Sequence, residues 1–392
     1  MPPFGADKGE HPMKITSVKT HALRHTLDQP FQSSFSTFTD RWACLVEIAC
    51  DDGTVGWGEC LGPAGPNAAL VEAMAPLIIG RDPLDIEPIW ADVYNQFRDQ
   101  GQRGATMTAQ SGIDIALWDI AGKHFGVPVH RLLGGAFRLE VPAYATGGFR
   151  PVGPDHHTWV VEETAGYVAA GFKALKIKIG YDWQEDAELI AAVREAIGPD
   201  THFMIDANHG YDVIEAAALG NAVADLDIGW FEEPIVPETL DAYVDVRQSQ
   251  PLPVAAGETW HGRGAFKEAA DRRCVDIFQP DVCGCGGITE MKKIAALAET
   301  AGIRMQPHVW GTAVAIAASL HVLATLPATP MRHRNRDIWL EFDQTDHPYR
   351  QAIVSEPIVQ VDGIVAVPDG PGLGIEIDRA VLEHYTVGGG TV

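Results

Sequence analysis

HFMIDAN (202–208), IGWFEEP (228–234) and PVAAGE (253–258) are three short apolar runs that close on acids: Asp206, Glu232 and Glu258. The acids recur at an interval of 26 residues, from 206 to 232 and from 232 to 258. A strand, a helix and two connections of a (β/α) barrel take about that length. Acids at equivalent points of three consecutive β/α units converge at one end of such a barrel. Left alone they would repel one another and resist burial. A hard divalent cation with oxygen ligands, most simply Mg2+, removes that cost.

Outward from these runs the pattern repeats. VPAYAT (141–146), KALKIKIG (173–180), VDIFQPD (275–281), IRMQPH (303–308) and IWLEFD (338–343) bring the strands to eight. Amphipathic segments such as WQEDAELIAAVREAIG (183–198) and ITEMKKIAALAETAG (288–302) fit between them. Eight strands in alternation with helices predict a TIM-type α/β barrel rather than a doubly wound sheet. Upstream, KITSVKTHAL (14–23) and WACLVEIAC (42–50) read as strands, and Asp52-Gly53 as a hairpin turn before VGWGE (55–59). DQPFQSSFSTFTD (28–40), polar and aromatic without clear period, reads as a mobile loop. Residues 67–133 are helical in pattern, with Ile113, Leu117 and Ile120 on one face. EPIVQVDGIVAVPDGPGLGIEID (356–378) reads as short strands and turns returning to the first unit. The expected organisation is a disordered tail (1–12), an N-terminal α+β capping domain (13–138), a barrel (139–355) and a returning C-terminal segment (356–392).

The chain has 392 residues, enough for a barrel and a smaller domain, and 46% hydrophobic content, ordinary for a globular protein. The start, MPPFGADKGEHPM, has no apolar core of a signal peptide, and no apolar run reaches the length of a membrane span. A net charge of −24 opposes nucleic acid or an anionic membrane as partner. Six cysteines without C-x-x-C spacing point to free thiols in a reducing cytoplasm. Cys283-Gly-Cys285 could bind a soft metal, but two small residues in a tight turn explain it more simply. Gly284, Gly286 and Gly287 likewise read as a turn into a helix before they read as a phosphate cradle.

The carboxyl ends of barrel strands are where function gathers in this architecture. The second strand offers Lys176 and Lys178 there, and Asn208 stands beside the first acid. The last three strands offer Asp281, His308 and Glu341. A packed core has no use for such a ring of charge. Lys176 and Lys178 are two apart on a strand and face the same way, while Ile177 and Ile179 face the other. At an effective dielectric of 20 the two ammonium groups repel by roughly 2.5 kcal/mol. That repulsion and a nearby dication both lower a lysine pKa toward the range a general base needs. Asp281 beside His308 would fix the imidazole tautomer and make a second acid/base group across the barrel. Glu341 could donate a proton or bind a hydroxyl. Two bases flanking a dication suit removal of a proton alpha to a carboxylate, where charge builds on the oxygens.

With these residues in place the chain resembles the enolase superfamily, in its mandelate racemase subgroup. KIKIG, MIDANHGY, WFEEP, AAGETWHG, FQPDVCGCGGIT, QPHVWGT, LEFD and PDGPGLGIEID carry the resemblance, which spans Met13 to about Asp378. It implies a modified TIM barrel, (β/α)7β, under an N-terminal α+β cap. It implies that Asp206, Glu232 and Glu258 bind Mg2+, that Lys178 is one base and the His308–Asp281 dyad the other, and that Lys176 and Asn208 sit by the substrate carboxylate. Glu341 becomes an electrophile or hydrogen-bond donor. The family often forms homo-oligomers. DDGTVGWGECLGPAGPNAA (51–69), RDQGQRGATMTAQSGIDIALWDI (98–120) and EFDQTDHPYRQAI (341–353) are similar to its cycloisomerases of sugar-acid catabolism. That implies ring-opening β-elimination of a sugar-diacid lactone to a 3-deoxy-2-keto-hexarate. In this family specificity comes from capping loops, here 28–40 and the region around Glu59. His209, His261 and Trp310 flank the site and are expected at its distal end.

The nearest alternative is an acid-sugar dehydratase of an open-chain aldonate or aldarate. A racemase or epimerase using both bases is third. A TIM-barrel amidohydrolase needs H-x-H on the first strand, and VPAYATGG has none. A non-catalytic binding barrel predicts loss of Lys178, His308 or a metal ligand, and all are present.

Overall fold

The computed structural model describes residues 13–328 and 337–392; the expected tail over 1–12 lies outside them. β1 (Ile15–Gln32), β2 (Thr37–Cys50) and β3 (Val55–Cys60) form an antiparallel meander. Asp52-Gly53 turns the chain as expected, with Gly53 at φ +89° and Cys50 N–H donating to Thr54 O. The stretch 28–40 is not a loose loop. β1 and β2 run on past a bulge between Thr26 and Phe31, and Phe31 pairs with Phe38 and Gln32 with Thr37. The bulge breaks the period-two signal, and aromatic packing replaces it.

Four helices follow: α1 (Ala64–Met74), α2 (Ile86–Phe97), α3 (Ala105–Phe125) and α4 (Val129–Leu132). Cys44, Val46 and Ile48 of β2 pack with Ile113, Leu117 and Ile120 of α3 in a small separate core. Ala43 and Leu45 face the other way, into the main core. Burial on both faces accounts for the nearly unbroken apolar run of β2. Gly56 and Gly58 of β3 have no room for a side chain, because the backbone of α3 at Ala116 and Gly112 lies against them.

All eight expected barrel strands are present. They are β4 (Glu140–Gly147), then β6 (Ala174–Lys178), β7 (His202–Asp206), β8 (Ile228–Glu232), β9 (Val254–Ala256), β10 (Ile277–Phe278), β11 (Arg304–Met305) and β12 (Leu340–Asp343). The short β5 (Arg150–Pro151) pairs instead with β1. β4 and β6 to β11 pair in sequence order, all parallel, and β12 pairs parallel with β4. Among the described residues no backbone ladder joins β11 to β12. Gln306 spans them, accepting from Trp339 N–H and donating to Asp337 O. Between the strands lie α5 (His156–Ala169), α6 (Trp183–Ile197), α7 (Val213–Ala222), α8 (Leu240–Ser249), α9 (Gly262–Arg272), α10 (Gly287–Ala301) and α11 (Ala313–Ala324). The architecture is the (β/α)7β form of the TIM barrel.

Period two sorts the strand residues. Tyr144, Ala174, Met204, Trp230, Ala255 and Ile277 fill the barrel interior as one cluster. Ile177, Ile179, Ile205 and Phe231 pack outward with the helices. The next inward positions toward the carboxyl ends carry the charged groups.

After the short α12 (Tyr349–Ala352), the hairpin of β13 (Gln360–Val361) and β14 (Ile364–Ala366) pairs antiparallel with β4. Leu373 N–H then donates to Asp119 of α3, and β15 (Thr386–Gly388), after α13 (Arg379–Tyr385), joins β1. The segment thus touches the barrel before it reaches the first sheet.

Candidate active site

Lys176, Lys178, Asp206, Glu232, Asp281, His308 and Glu341 converge, each no more than 3% exposed. β6, β7 and β8 pair with Lys178 opposite Asp206 and Asp206 opposite Glu232, so register alone brings these side chains together. Glu258 follows β9 in the same position. Asp206, Glu232 and Glu258 each offer a carboxylate oxygen within 4.8 Å of the others. Among the described residues this is the one group of three or more His, Cys, Asp or Glu able to hold a metal ion.

The lysines are not free amines. Lys178 Nζ donates to Asp206 Oδ2 at 2.5 Å. Lys176 Nζ donates to Glu232 and lies 2.9 Å from Glu341 Oε1. Burial works against both charges, but the carboxylates around them prevail: Glu232 and Glu341 hold the Lys176 pKa well up, and Asp206 raises that of Lys178. The expected lowering counted a dication on the triad as well as the second ammonium group; with the protein groups alone the acids prevail. The acids lie closer to each than the other lysine's charge can offset. Glu232 shows the strain from the other side. Burial, helped by Asp206, Glu341 and Glu258, lifts its pKa to about 7 against Lys176.

The expected dyad is present. An isolated parallel bridge sets Asp281 beside His308, and the His308 Nδ1–H donates to Asp281 Oδ2 at 2.7 Å. Its Nε2 points at Glu258 Oε2, 3.5 Å away. Burial opposes the imidazolium, yet Glu258, Glu341 and Asp281 raise its pKa to about 10. Lys178 and His308 therefore reach the triad through different acids, Asp206 and Glu258. Asn208, in the left-handed region at φ +41°, donates its backbone N–H to Asp206 Oδ1 at 2.8 Å. Glu341 accepts from Thr146 Oγ1 at 2.6 Å and from Val309 N–H at 3.0 Å. Burial works against its charge, but Lys176 and His308 hold its pKa at about 2. In these contacts Glu341 accepts.

Some contacts escaped the sequence. Trp230 Nε1–H and Gln279 Nε2–H both donate to Glu232 Oε2, and Thr146 orients Glu341. All three lie on inward positions by period two, a signal available to a reading that looked below the strand ends. Trp310 does reach the site: Lys178 Nζ lies 5.7 Å from its ring and 5.2 Å from that of Phe149. His209 turns to Glu233 at 3.1 Å and to the ring of Phe35 on the hairpin tip. His261 Nδ1 is bound to Gly284 O at 2.9 Å. Glu59, expected near a specificity loop, is buried and bonded to Thr312 and Ala315. Cys283 and Cys285 sit in a turn whose N–H groups donate to Asp281. The turn at Gly284–Gly287 is filled from α3: Gly286 N–H donates to Ser111 and Thr289 N–H to Asp114.

An acidic triad, fully buried at Asp206 and Glu232 and partly at Glu258, between a lysine and a histidine at the mouth of a capped barrel defines a metal-assisted lyase or isomerase of carboxylic acids. Residues 15–134 match the model of the mandelate racemase/muconate lactonizing enzyme N-terminal domain, and residues 159–381 that of the enolase C-terminal domain-like family. D-Galactarolactone cycloisomerase of Agrobacterium fabrum is 57% identical over 373 residues, covering 95% of this chain and 99% of that protein. The crystal structure of 3,6-anhydro-D-galactonate cycloisomerase from Zobellia galactanivorans superposes with a TM-score of 0.86 at 38% identity, over 96% of this chain and all of that one. A racemase from Streptomyces coelicolor A3(2) with bound magnesium gives a TM-score of 0.85 at 28% identity, over 95% of this chain and 100% of that one. The chain belongs to the enolase superfamily, in its mandelate racemase/muconate lactonizing enzyme family.

Proposed function

We propose that this protein is a Mg2+-dependent cycloisomerase that opens a sugar-diacid lactone by β-elimination, giving a 3-deoxy-2-keto-hexarate. The observation that carries it is the pair of acid/base groups on one triad: Lys178 on Asp206 and His308 on Glu258. The 57% identity to D-galactarolactone cycloisomerase supports the lactone as substrate. Asp206, Glu232 and Glu258 suit Mg2+: hard oxygen donors, close-set, with Glu258 Oε2 buried and without a hydrogen-bond partner. When bound, the ion would supply positive charge beside the substrate carboxylate as its alpha proton leaves.

The protein's own groups do the rest. With the charge of Asp206 and Glu258 taken up by a bound cation, Lys178 or His308 would lose the partner that keeps it protonated and, as the free base, remove the proton alpha to the free carboxylate. The electron pair forms the α–β double bond, and the ring oxygen leaves the β carbon as a carboxylate. A carboxylate departs more readily than hydroxide, so little acid help is needed there. The enol then loses its hydroxyl proton and takes a proton at the β carbon, which leaves a 2-keto acid. Asp281 keeps the His308 Nδ1 protonated, so that Nε2 faces the site. Lys176 offsets the charge of Glu232 and Glu341 and, with Asn208, borders the substrate carboxylate. Burial of these groups excludes water from the developing anion.

We further take 13–138 as the capping domain, 139–355 as the barrel and 356–392 as the returning segment. The enzyme is a cytoplasmic homo-oligomer acting on a soluble sugar acid, a state that sedimentation velocity tests.

The deciding experiment incubates the protein with galactaro-lactone and with open-chain aldonates and aldarates in D2O, with products identified by NMR. A deuterated 3-deoxy-2-keto-hexarate from the lactone is the expected result. Water loss from an open-chain acid makes the protein a dehydratase, and deuterium wash-in without elimination an epimerase. Stripping with EDTA abolishes turnover and Mg2+ restores it. Mg2+ at a hundred times its Kd raises stability by about 2.7 kcal/mol, read as a rise in Tm.

A further inference from the structure

The carboxylate of Glu59 comes from the N-terminal unit, at the end of β3, yet it accepts hydrogen bonds from the start of α11 in the barrel. Thr312 N–H donates to Oε1 at 3.0 Å and to Oε2 at 3.1 Å. The Thr312 hydroxyl donates to Oε2 at 2.6 Å, and Ala315 N–H donates to it at 3.0 Å. Thr312 is the N-cap of α11 and itself accepts from Val314 N–H. The first turn of α11 is thus capped by its own threonine and by an acid 253 residues away. Glu59 is 2% exposed. Its hydrogen bonds run to the barrel helix behind the site. Gly311 leaves the room it needs, since a Cβ there would stand 2.7 Å from Glu59 Oε1.

Three residues separate Thr312 from His308. Each fixed point along this loop is held from a different element: His308 by Asp281, Val309 N–H by Glu341, Thr312 by Glu59. Trp310 between them packs on Phe38 of the hairpin and on Phe149. Loss of the last anchor frees the end of the loop next to the helix.

Taking the role of His308 stated above as given, we propose that Glu59 is a positioning residue. Docking of the N-terminal unit brings its carboxylate onto α11 and so sets the imidazole of His308 and the indole of Trp310 over the acidic triad. The cap therefore contributes to the chemistry through the placement of a barrel loop, besides covering the site.

The test uses the full-length enzyme with Mg2+. Glu59→Gln keeps the shape and one acceptor but turns an NH2 toward N–H donors. Thr312→Val removes only the hydroxyl and serves if the first variant folds poorly. We expect kcat on the lactone to fall 10- to 100-fold in Glu59→Gln and less in Thr312→Val, with KM changed under threefold; misplacement of about 1 Å can cost 10²-fold. Hydrogen exchange of the amides from 309 to 316 should rise in both, with exchange in β6 to β8 unchanged. Wild-type kcat in Glu59→Gln overturns the proposal. So does a rise in KM alone, which would make Glu59 a substrate contact, or a global rise in exchange, which would make it a general fold contact. If the wild-type enzyme itself opens no lactone, the functional reading fails first, and unchanged exchange at 309–316 would then overturn the anchoring independently.

Discussion

Lys178 and His308 stand on opposite sides of the triad, so removing each should have a different signature. Lys178→Met and His308→Asn should each lower kcat by about 10²- to 10⁴-fold, the range for loss of a general acid or base. Only the variant that keeps the abstracting base should still exchange the alpha proton with D2O, and NMR of recovered substrate shows which one does. Exchange retained at wild-type rate in both would remove the two-base assignment. The positions of these residues were readable because a barrel repeats: equal spacing places Asp206, Glu232 and Glu258 at equivalent strand ends. The balance of charge around the lysines was not readable. It depends on contacts between strands, such as Lys176 with Glu341 across β4, that no spacing along one strand reports. Gln279 and Trp230 differ: period two marks them as inward, but their target, Glu232, is met inside the barrel and not at the rim where the strand ends lie.

The β1–β2 hairpin shows where a single element departs from its sequence signal. Its middle obeys period two, but its tip is held by other segments. Tyr181 O–H donates to Gln32 O, Ser34 Oγ donates to Asn208 O, and β5 pairs beside Phe31 and Gln32. Phe31, Phe38 and Phe149 cluster there with Trp310. A segment ordered by distant partners carries little period of its own, which is why 28–40 read as a loop. The charged groups beneath it are little exposed, so the seating of the tip is expected to govern substrate entry. Tyr181→Phe and Ser34→Ala each remove one hydrogen bond from the seated tip, worth about 0.5–1.5 kcal/mol. Each should raise KM by roughly 2- to 10-fold and increase hydrogen exchange at residues 32–37, while Tm shifts little. Unchanged KM in both variants would mean that the tip's seating does not limit substrate binding.

The two units meet along several buried polar joints that the sequence could not pair, because their partners lie hundreds of residues apart. Arg41 of β2 donates to Asp343 at the end of the last barrel strand, at 2.8 Å. His130 of α4 meets His321 of α11, with the two Nδ1 atoms 3.2 Å apart. The backbone N–H of His130 also points at His321 Nδ1, 3.4 Å away. His321 Nδ1 therefore serves as acceptor, and a proton there would face two donors. Burial, with His130 beside it, lowers the His321 pKa to about 4. In the unfolded chain the imidazole titrates near 6.5. The sign follows: above pH 6.5 neither state is charged and the joint contributes fully. As pH falls toward 4 the unfolded chain binds a proton that the folded protein refuses, so stability is lost across that window. The loss at pH 5 is about 2 kcal/mol. A net charge of −24 works the other way, since acidification relieves self-repulsion, so the wild-type profile alone would mix the two. Comparison with His321→Leu separates them. The variant has some constant cost from the unpaired His130, but the charge contribution is common to both proteins. Urea denaturation at pH 7.5 and pH 5 should show the gap between the two pH values changing by about 2 kcal/mol in favour of the variant at the lower pH. An unchanged gap would mean that His321 accepts its proton in the folded state, and that the joint between cap and barrel does not set the acid limit of the fold.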